Sequence, residues 1–117
     1  MSRYVILEHK TSRGVHFDFM LEMSGVLKTW SLPHPPVSRL EMNAETLPDH
    51  RLAYLDYEGP ISGDRGSVTR WDRGTYEMEN QSESELTVRL NGEKLIGKVI
   101  LAKNWETKTD WVFSFIP

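Results

Sequence analysis

The sequence predicts an all-β domain, an antiparallel barrel or sandwich. Three observations predict it. Apolar and polar residues alternate with period two along most of the chain. No segment keeps an apolar 3.6-residue period for more than two turns. Turn dipeptides interrupt the alternation at Ser24-Gly25, Gly59-Pro60 and Asn91-Gly92. At 117 residues the chain suits one domain spanning 1–117, with no internal repeat, linker or low-complexity stretch.

The elements follow from local pattern. Residues 3–9 (RYVILEH) form a strand around the apolar run from Tyr4 to Leu7. Residues 16–22 (HFDFMLE) put His16, Asp18, Met20 and Glu22 on one face and Phe17, Phe19 and Leu21 on the other. A turn at Ser24-Gly25 leads into a strand over 26–32. The proline-flanked stretch 32–50 reads as mostly irregular, with room for one helical turn at most. A strand over 50–57 carries His50, Leu52, Tyr54 and Asp56 on one face, with His50 and Tyr54 ~13 Å apart unless a bend or bulge intervenes. Strands over 66–72 and 74–79 follow, then 85–91 and 94–103 joined by a tight hairpin on Asn91-Gly92, and finally 110–116.

Charge and composition narrow the function. The net charge of −3, from 14 basic and 17 acidic residues, argues against a protein whose main task is gripping long duplex DNA. It leaves room for a pocket that holds one phosphate at a chain end. With zero cysteines, any metal site must use His, Asp and Glu. No apolar run approaches the ~20 residues of a membrane span, and the N-terminal apolar core is too short for a signal peptide. A cytoplasmic protein without a membrane partner is expected.

Three clusters carry candidate chemistry. His9 ends one strand; His16 and Asp18 share a face of the next. Two imidazoles and a carboxylate suit Mn²⁺, Zn²⁺ or Fe²⁺ and leave coordination positions open, although the spacing alone, which is no recognised ligand signature, fits polar residues on a solvated sheet face better. His50 and Tyr54 are suited to proton donation or to hydrogen bonding an anionic oxygen, or are rim residues of an amphipathic strand. The glycine- and arginine-bearing stretch 63–77 is either a phosphate-holding turn or a set of barrel corners. It lacks Walker spacing and a following helix, so it is no nucleotide P-loop.

The order of the segments is specific. YVILEH, HFDFMLEMSGVLKTWSLP, DHRLAYLDYEGPI, GSVTRWDRGTYE, LNGEKLIGKVILAK and WVFSF follow one another as in the 3′-phosphoesterase domain of bacterial DNA ligase D. The chain resembles that family, which includes stand-alone versions, over nearly its whole length. The resemblance implies a small closed antiparallel β-barrel with hairpin connections and at most one short helix. It implies removal of a 3′-terminal phosphate or ribonucleoside from nucleic-acid ends, assisted by Mn²⁺, with Zn²⁺ or another divalent transition metal as alternatives. It makes His9, His16 and Asp18 the metal ligands, and His50 and Tyr54 essential residues near the scissile phosphate. WDRGT at 71–75 matches a family signature and reads as a structural strand and corner; Glu58-Gly59 matches as well. Nucleic-acid 3′ ends are the expected partners, together with separate ligase or polymerase repair proteins.

The sequence also departs from the family pattern. The family spaces its first two histidines six apart, whereas His9 and His16 are seven apart, which suggests one extra residue near Gly14. Met20 stands where the family has arginine and Leu7 where it has glutamine, both on faces expected to point inward. Losing that arginine removes a bidentate phosphate contact and a positive charge, for which Arg13, Lys10 or Arg65 are the candidate substitutes. With eight residues before His9, the family's longer N-terminal arm is expected to be missing. These departures keep a second reading open, a catalytically weakened nucleic-acid end-binding or interaction module on the same barrel.

Overall fold

A computed structural model describes residues 2–107 and 110–117. The strands are β1 (Ser2–Thr11), β2 (Gly14–Met23), β3 (Val26–Leu32), β4 (Met42–His50), β5 (Gly59–Pro60), β6 (Ser67–Gln81), β7 (Glu85–Gly92), β8 (Ile96–Lys103) and β9 (Asp110–Ile116). One 3₁₀ turn, Leu52–Leu55, lies between β4 and β5, and no α-helix occurs among the described residues. Antiparallel pairing runs β1-β2-β3-β4-β9-β8-β7-β6, and β6 returns to β1, which closes an eight-stranded barrel with β5 outside it on β6. The all-β closed barrel expected from the sequence is what forms.

Two apolar clusters divide the buried residues. The larger draws on all eight barrel strands and fills the interior, with Ile6, Phe19, Leu90, Val99, Leu101 and Phe113 among its members. The smaller comprises Val5, Leu7, Met20, Leu27, Leu55 and Val68. Alternate strand residues point to opposite faces, so Val5 and Leu7 lie on the outer wall while Tyr4 and Ile6 face the interior. Leu55 and the partly buried Tyr54 and Ile61 roof this outer cluster. β1 and β2 are therefore buried on both faces, which accounts for the unbroken apolar run Tyr4–Leu7.

The structure corrects five readings. Residues 42–50 form a strand: Met42 and Ala44 alternate into the core, and β4 bridges β3 and β9 to close the barrel. Pro48 falls where the β3–β4 register shifts between Leu27 and Thr29, a place where its missing N–H breaks no ladder. Residues 50–57 are not a strand. His50 pairs with Leu27 at the start of β3, and the backbone beyond it turns through the 3₁₀ segment instead. The strands expected at 66–72 and 74–79 are one, because Gly74 continues β6. The hairpin at 90–95 forms, but Gly92 N–H bonds Leu95 C=O at 2.8 Å, so Glu93 and Lys94 are its turn residues. Finally, Leu7 and Met20 point outward from the barrel and owe their burial to the roof.

The 71–75 signature is a corner. The β1–β6 register shifts between Ile6 and Leu7, so Ile6 faces Asp72 and Leu7 faces Arg70, with Trp71 as the extra residue. The bulge turns Asp72 to the interior. There its carboxylate accepts from Tyr4 Oη at 2.6 Å and from the backbone N–H groups of Lys94 (2.8 Å) and Leu95 (3.2 Å). A Cβ at Gly74 would lie 2.1 Å from the Asn91 carbonyl oxygen, and one at Gly92 1.8 Å from Tyr4 Oη, so neither position admits a side chain.

Candidate metal and phosphate site

The β1–β2 hairpin turns through Ser12 and Arg13, with Thr11 paired to Gly14. That register sets His9 opposite His16 and Leu7 opposite Asp18, on the outer wall. The seven-residue histidine spacing thus yields a direct cross-strand pair. His9 Nδ1 lies 3.0 Å from His16 Nε2 and 3.4 Å from Asp18 Oδ2, and His16 Nε2 lies 3.1 Å from Asp18 Oδ1. The Asp18 side chain is 3% exposed, and its Oδ1 has no aligned hydrogen-bond donor among the described residues.

The donor set fits a divalent cation. Ligand atoms bonded at about 2.1 Å stand about 3.0–3.4 Å apart at octahedral or tetrahedral angles. The three separations fall in that range. His9 Nε2 is 2.7 Å from the Arg65 carbonyl oxygen, which can only accept, so Nε2 carries the proton and the Nδ1 lone pair faces the cluster. A buried carboxylate oxygen with no aligned donor also suits a cation. The neighbouring Asp18 carboxylate holds the His16 imidazole above its ordinary value, against the opposing effect of burial.

His50 and Tyr54 meet across the way. Because the chain leaves β4 through the 3₁₀ turn, their ring centroids lie 5.7 Å apart at 75°, edge to face, far closer than along a strand. His50 Nδ1 donates to the Pro48 carbonyl at 2.8 Å, which leaves Nε2 for another partner. His9 and Asp18 from the barrel wall, and His50 and Tyr54 from the roof, line one cleft of about 470 Å³. Leu7 and Met20 line it too.

Residues 7–103 match the DNA ligase D 3′-phosphoesterase domain family. The chain belongs to this family. Among curated proteins it is 38% identical over 109 residues to the multifunctional non-homologous end joining protein LigD of Pseudomonas aeruginosa, covering 82% of this chain and 12% of that protein. It is 37% identical over 112 residues to the multifunctional non-homologous end joining DNA repair protein LigD of Mycobacterium tuberculosis (86% and 14%), and 33% identical over 123 residues to LigD of Mycolicibacterium smegmatis (88% and 16%). The chain therefore spans less than a fifth of the length of the relatives it matches.

In this phosphoesterase-family domain the expected basic residues fare differently. Arg13 sits at the exposed tip of the β1–β2 hairpin and does not line the cleft. Arg65 lines the cleft, but its guanidinium is folded onto its own loop, with Nε donating to Ser62 C=O at 2.8 Å and Nη2 to Ser62 Oγ at 3.3 Å. Its carbonyl, not its charge, reaches the cluster. Lys10 Nζ lies 3.6 Å from Glu8. Sequence reasoning missed Arg51, an exposed cation at the cleft wall next to His50. Its position in HRLAY was visible; that the chain turns there was not. No helix among the described residues is long and apolar enough to cross a membrane.

Proposed function

We propose that the domain is a metal-dependent phosphoesterase that removes a 3′-phosphate or 3′-ribonucleoside from nucleic-acid ends in DNA end repair. The convergence of His9 Nδ1, His16 Nε2 and the Asp18 carboxylate within 3.4 Å, with His9 and Asp18 lining a cleft shared with His50 and Tyr54, carries this reading. His9, His16 and Asp18 hold Mn²⁺, or Zn²⁺ in its place. Such an ion supplies Lewis-acid polarisation of a phosphoryl oxygen and acidification of water. The Arg65 carbonyl fixes the tautomer and orientation of His9. His50 is anchored through Nδ1 to Pro48, so its Nε2 can donate to the phosphoryl or leaving oxygen when protonated. The Tyr54 hydroxyl offers a second hydrogen bond to the same charge. The relatives' names give non-homologous end joining and DNA repair; a cytoplasmic location and separate ligase or polymerase partners complete the proposal.

The test is a primer–template bearing a 3′-phosphate or a 3′-ribonucleotide, incubated with the purified protein with and without Mn²⁺. Turnover should need the metal and should fall by about 10²–10⁴-fold in His50→Ala. Burial of Met20 and Leu7 beside the cleft favours a second reading, an end-binding module of weakened activity. Binding of the 3′-phosphate end without any turnover would select it.

A further inference from the structure

A second concavity of about 260 Å³ opens beside the cleft, and the two share Arg51, Tyr54 and Ile61. Tyr57 and Pro60 add to its wall, with Ala53 and Ser62. Three rings lead from one space to the other. His50 meets Tyr54 edge to face, and Tyr54 meets Tyr57 the same way, with centroids 5.9 Å apart at 89°. Tyr57 is 38% exposed, and its orientation is set in advance because its hydroxyl donates to the Pro60 carbonyl. Gly59, at φ 138°, lets the loop close over that ring, since a Cβ there would come within 3.1 Å of Tyr57 Oη.

Arg51 stands at the junction. It is the N-cap residue of the 3₁₀ turn, its side chain makes no capping bond, and no ion pair engages it among the described residues. Of the two arginines lining the cleft, Arg65 is tied to Ser62, so Arg51 is the one with a guanidinium to spare. We propose that this second concavity is a nucleotide subsite. Arg51 takes the phosphate that bridges the two spaces, and the Tyr57 ring stacks on the base of the 3′-terminal nucleoside. The assignment rests on the phosphoesterase reading and adds what that reading lacks, a cation for the phosphate and a surface for the base. A guanidinium matches phosphate oxygens as a fork, and a fixed aromatic ring stacks on any base, so recognition would be independent of sequence. A few such contacts at one chain end also suit a protein of net charge −3.

The experiment uses oligonucleotides ending in a 3′-phosphate on either a normal or an abasic terminal residue. Binding is followed by fluorescence anisotropy in chelator, and turnover is followed separately with Mn²⁺. The normal end should bind about 10-fold tighter than the abasic end. Tyr57→Leu should erase that preference and Tyr57→Phe, which keeps the ring, should retain it. Arg51→Gln should weaken both ends by about 10-fold and shrink the advantage of a 3′-phosphate over a 3′-hydroxyl. Thermal unfolding checks that each variant is folded. Equal wild-type affinity for the two ends, or a folded Tyr57→Leu that keeps the preference, overturns the subsite even where turnover is intact. A base preference without turnover supports the subsite and overturns the phosphoesterase reading.

Discussion

Met20 packs against the apolar outer cluster and is 1% exposed. The family resemblance implies an arginine there, but in this chain a guanidinium at that position would be buried among Val5, Leu7, Leu27 and Val68. Met20→Arg should therefore destabilise the fold by about 3 kcal/mol, read from urea unfolding. Leu7 sits diagonally from Met20, because Leu7 pairs with Asp18 and Val5 with Met20. Adding Leu7→Gln gives the guanidinium a carbonyl oxygen to bond and should recover part of that loss. Strict additivity of the two substitutions would show that they share no environment. Asp18 makes the opposite case, a buried carboxylate beside the His9 and His16 imidazoles. Saturating Mn²⁺, at about 100 times its dissociation constant, should raise the wild-type melting temperature by roughly 10 °C. Asp18→Asn removes the anionic ligand and should abolish the shift; an unchanged shift would place the ion elsewhere.

At the scale of elements, the Trp71–Thr75 corner joins β1, β6 and the β7–β8 turn through one carboxylate. Burial, reinforced by the bond to Asp72, pushes the Tyr4 phenol far above its ordinary value of 10.0. Above that pH the unfolded chain loses the Tyr4 proton while the folded chain keeps it, so stability must fall as pH rises. Urea unfolding between pH 10 and 11 should show Tyr4→Phe relieved of about 1 kcal/mol of that fall. An unaltered slope would mean that Tyr4 ionises freely in the fold. The corner was legible as a corner, because glycines amid a strand pattern signal close backbone approach. The hairpin strands were legible for the same kind of reason, since period two is a local property. β4 was not. Asn43, Glu45, Pro48 and Asp49 are poor strand formers, and they are extended because the barrel needs a strand between β3 and β9. The 3₁₀ turn was hidden by the same logic: Leu52 and Tyr54 continue the alternation, and only the start of β3 at Val26 takes the pairing away. Of the site, the convergence of His9, His16 and Asp18 was readable because the three residues lie on one hairpin. Arg51 was not, because its place at the cleft depends on a turn the pattern concealed.

The whole molecule divides the site between a rigid half and a loose one. His9, His16 and Asp18 stand on β1 and β2, and β1 is paired on both sides, to β2 and to β6. His50, Arg51 and Tyr54 stand on the end of β4 and the turn beyond it. That end pairs with β3 alone, since the β4–β9 ladder runs from Met42 to Glu45, and the turn is held by Tyr54 N–H to Arg51 C=O and Asp56 N–H to Ala53 C=O, both 3.1 Å. Local opening is easiest where backbone hydrogen bonds are few and exposed. Amides of residues 46–56 should accordingly exchange with solvent on the order of 100-fold faster than those of Tyr4–Leu7. A 3′-phosphate oligonucleotide, which on the proposed function would engage both halves at once, should slow exchange in 46–56 and leave β1 unchanged. Metal alone touches the rigid half and should leave 46–56 as fast as before. If the metal by itself protected that segment, the halves would already be locked together. The roof would then be part of the metal site, and an arriving chain end would have nothing left to close.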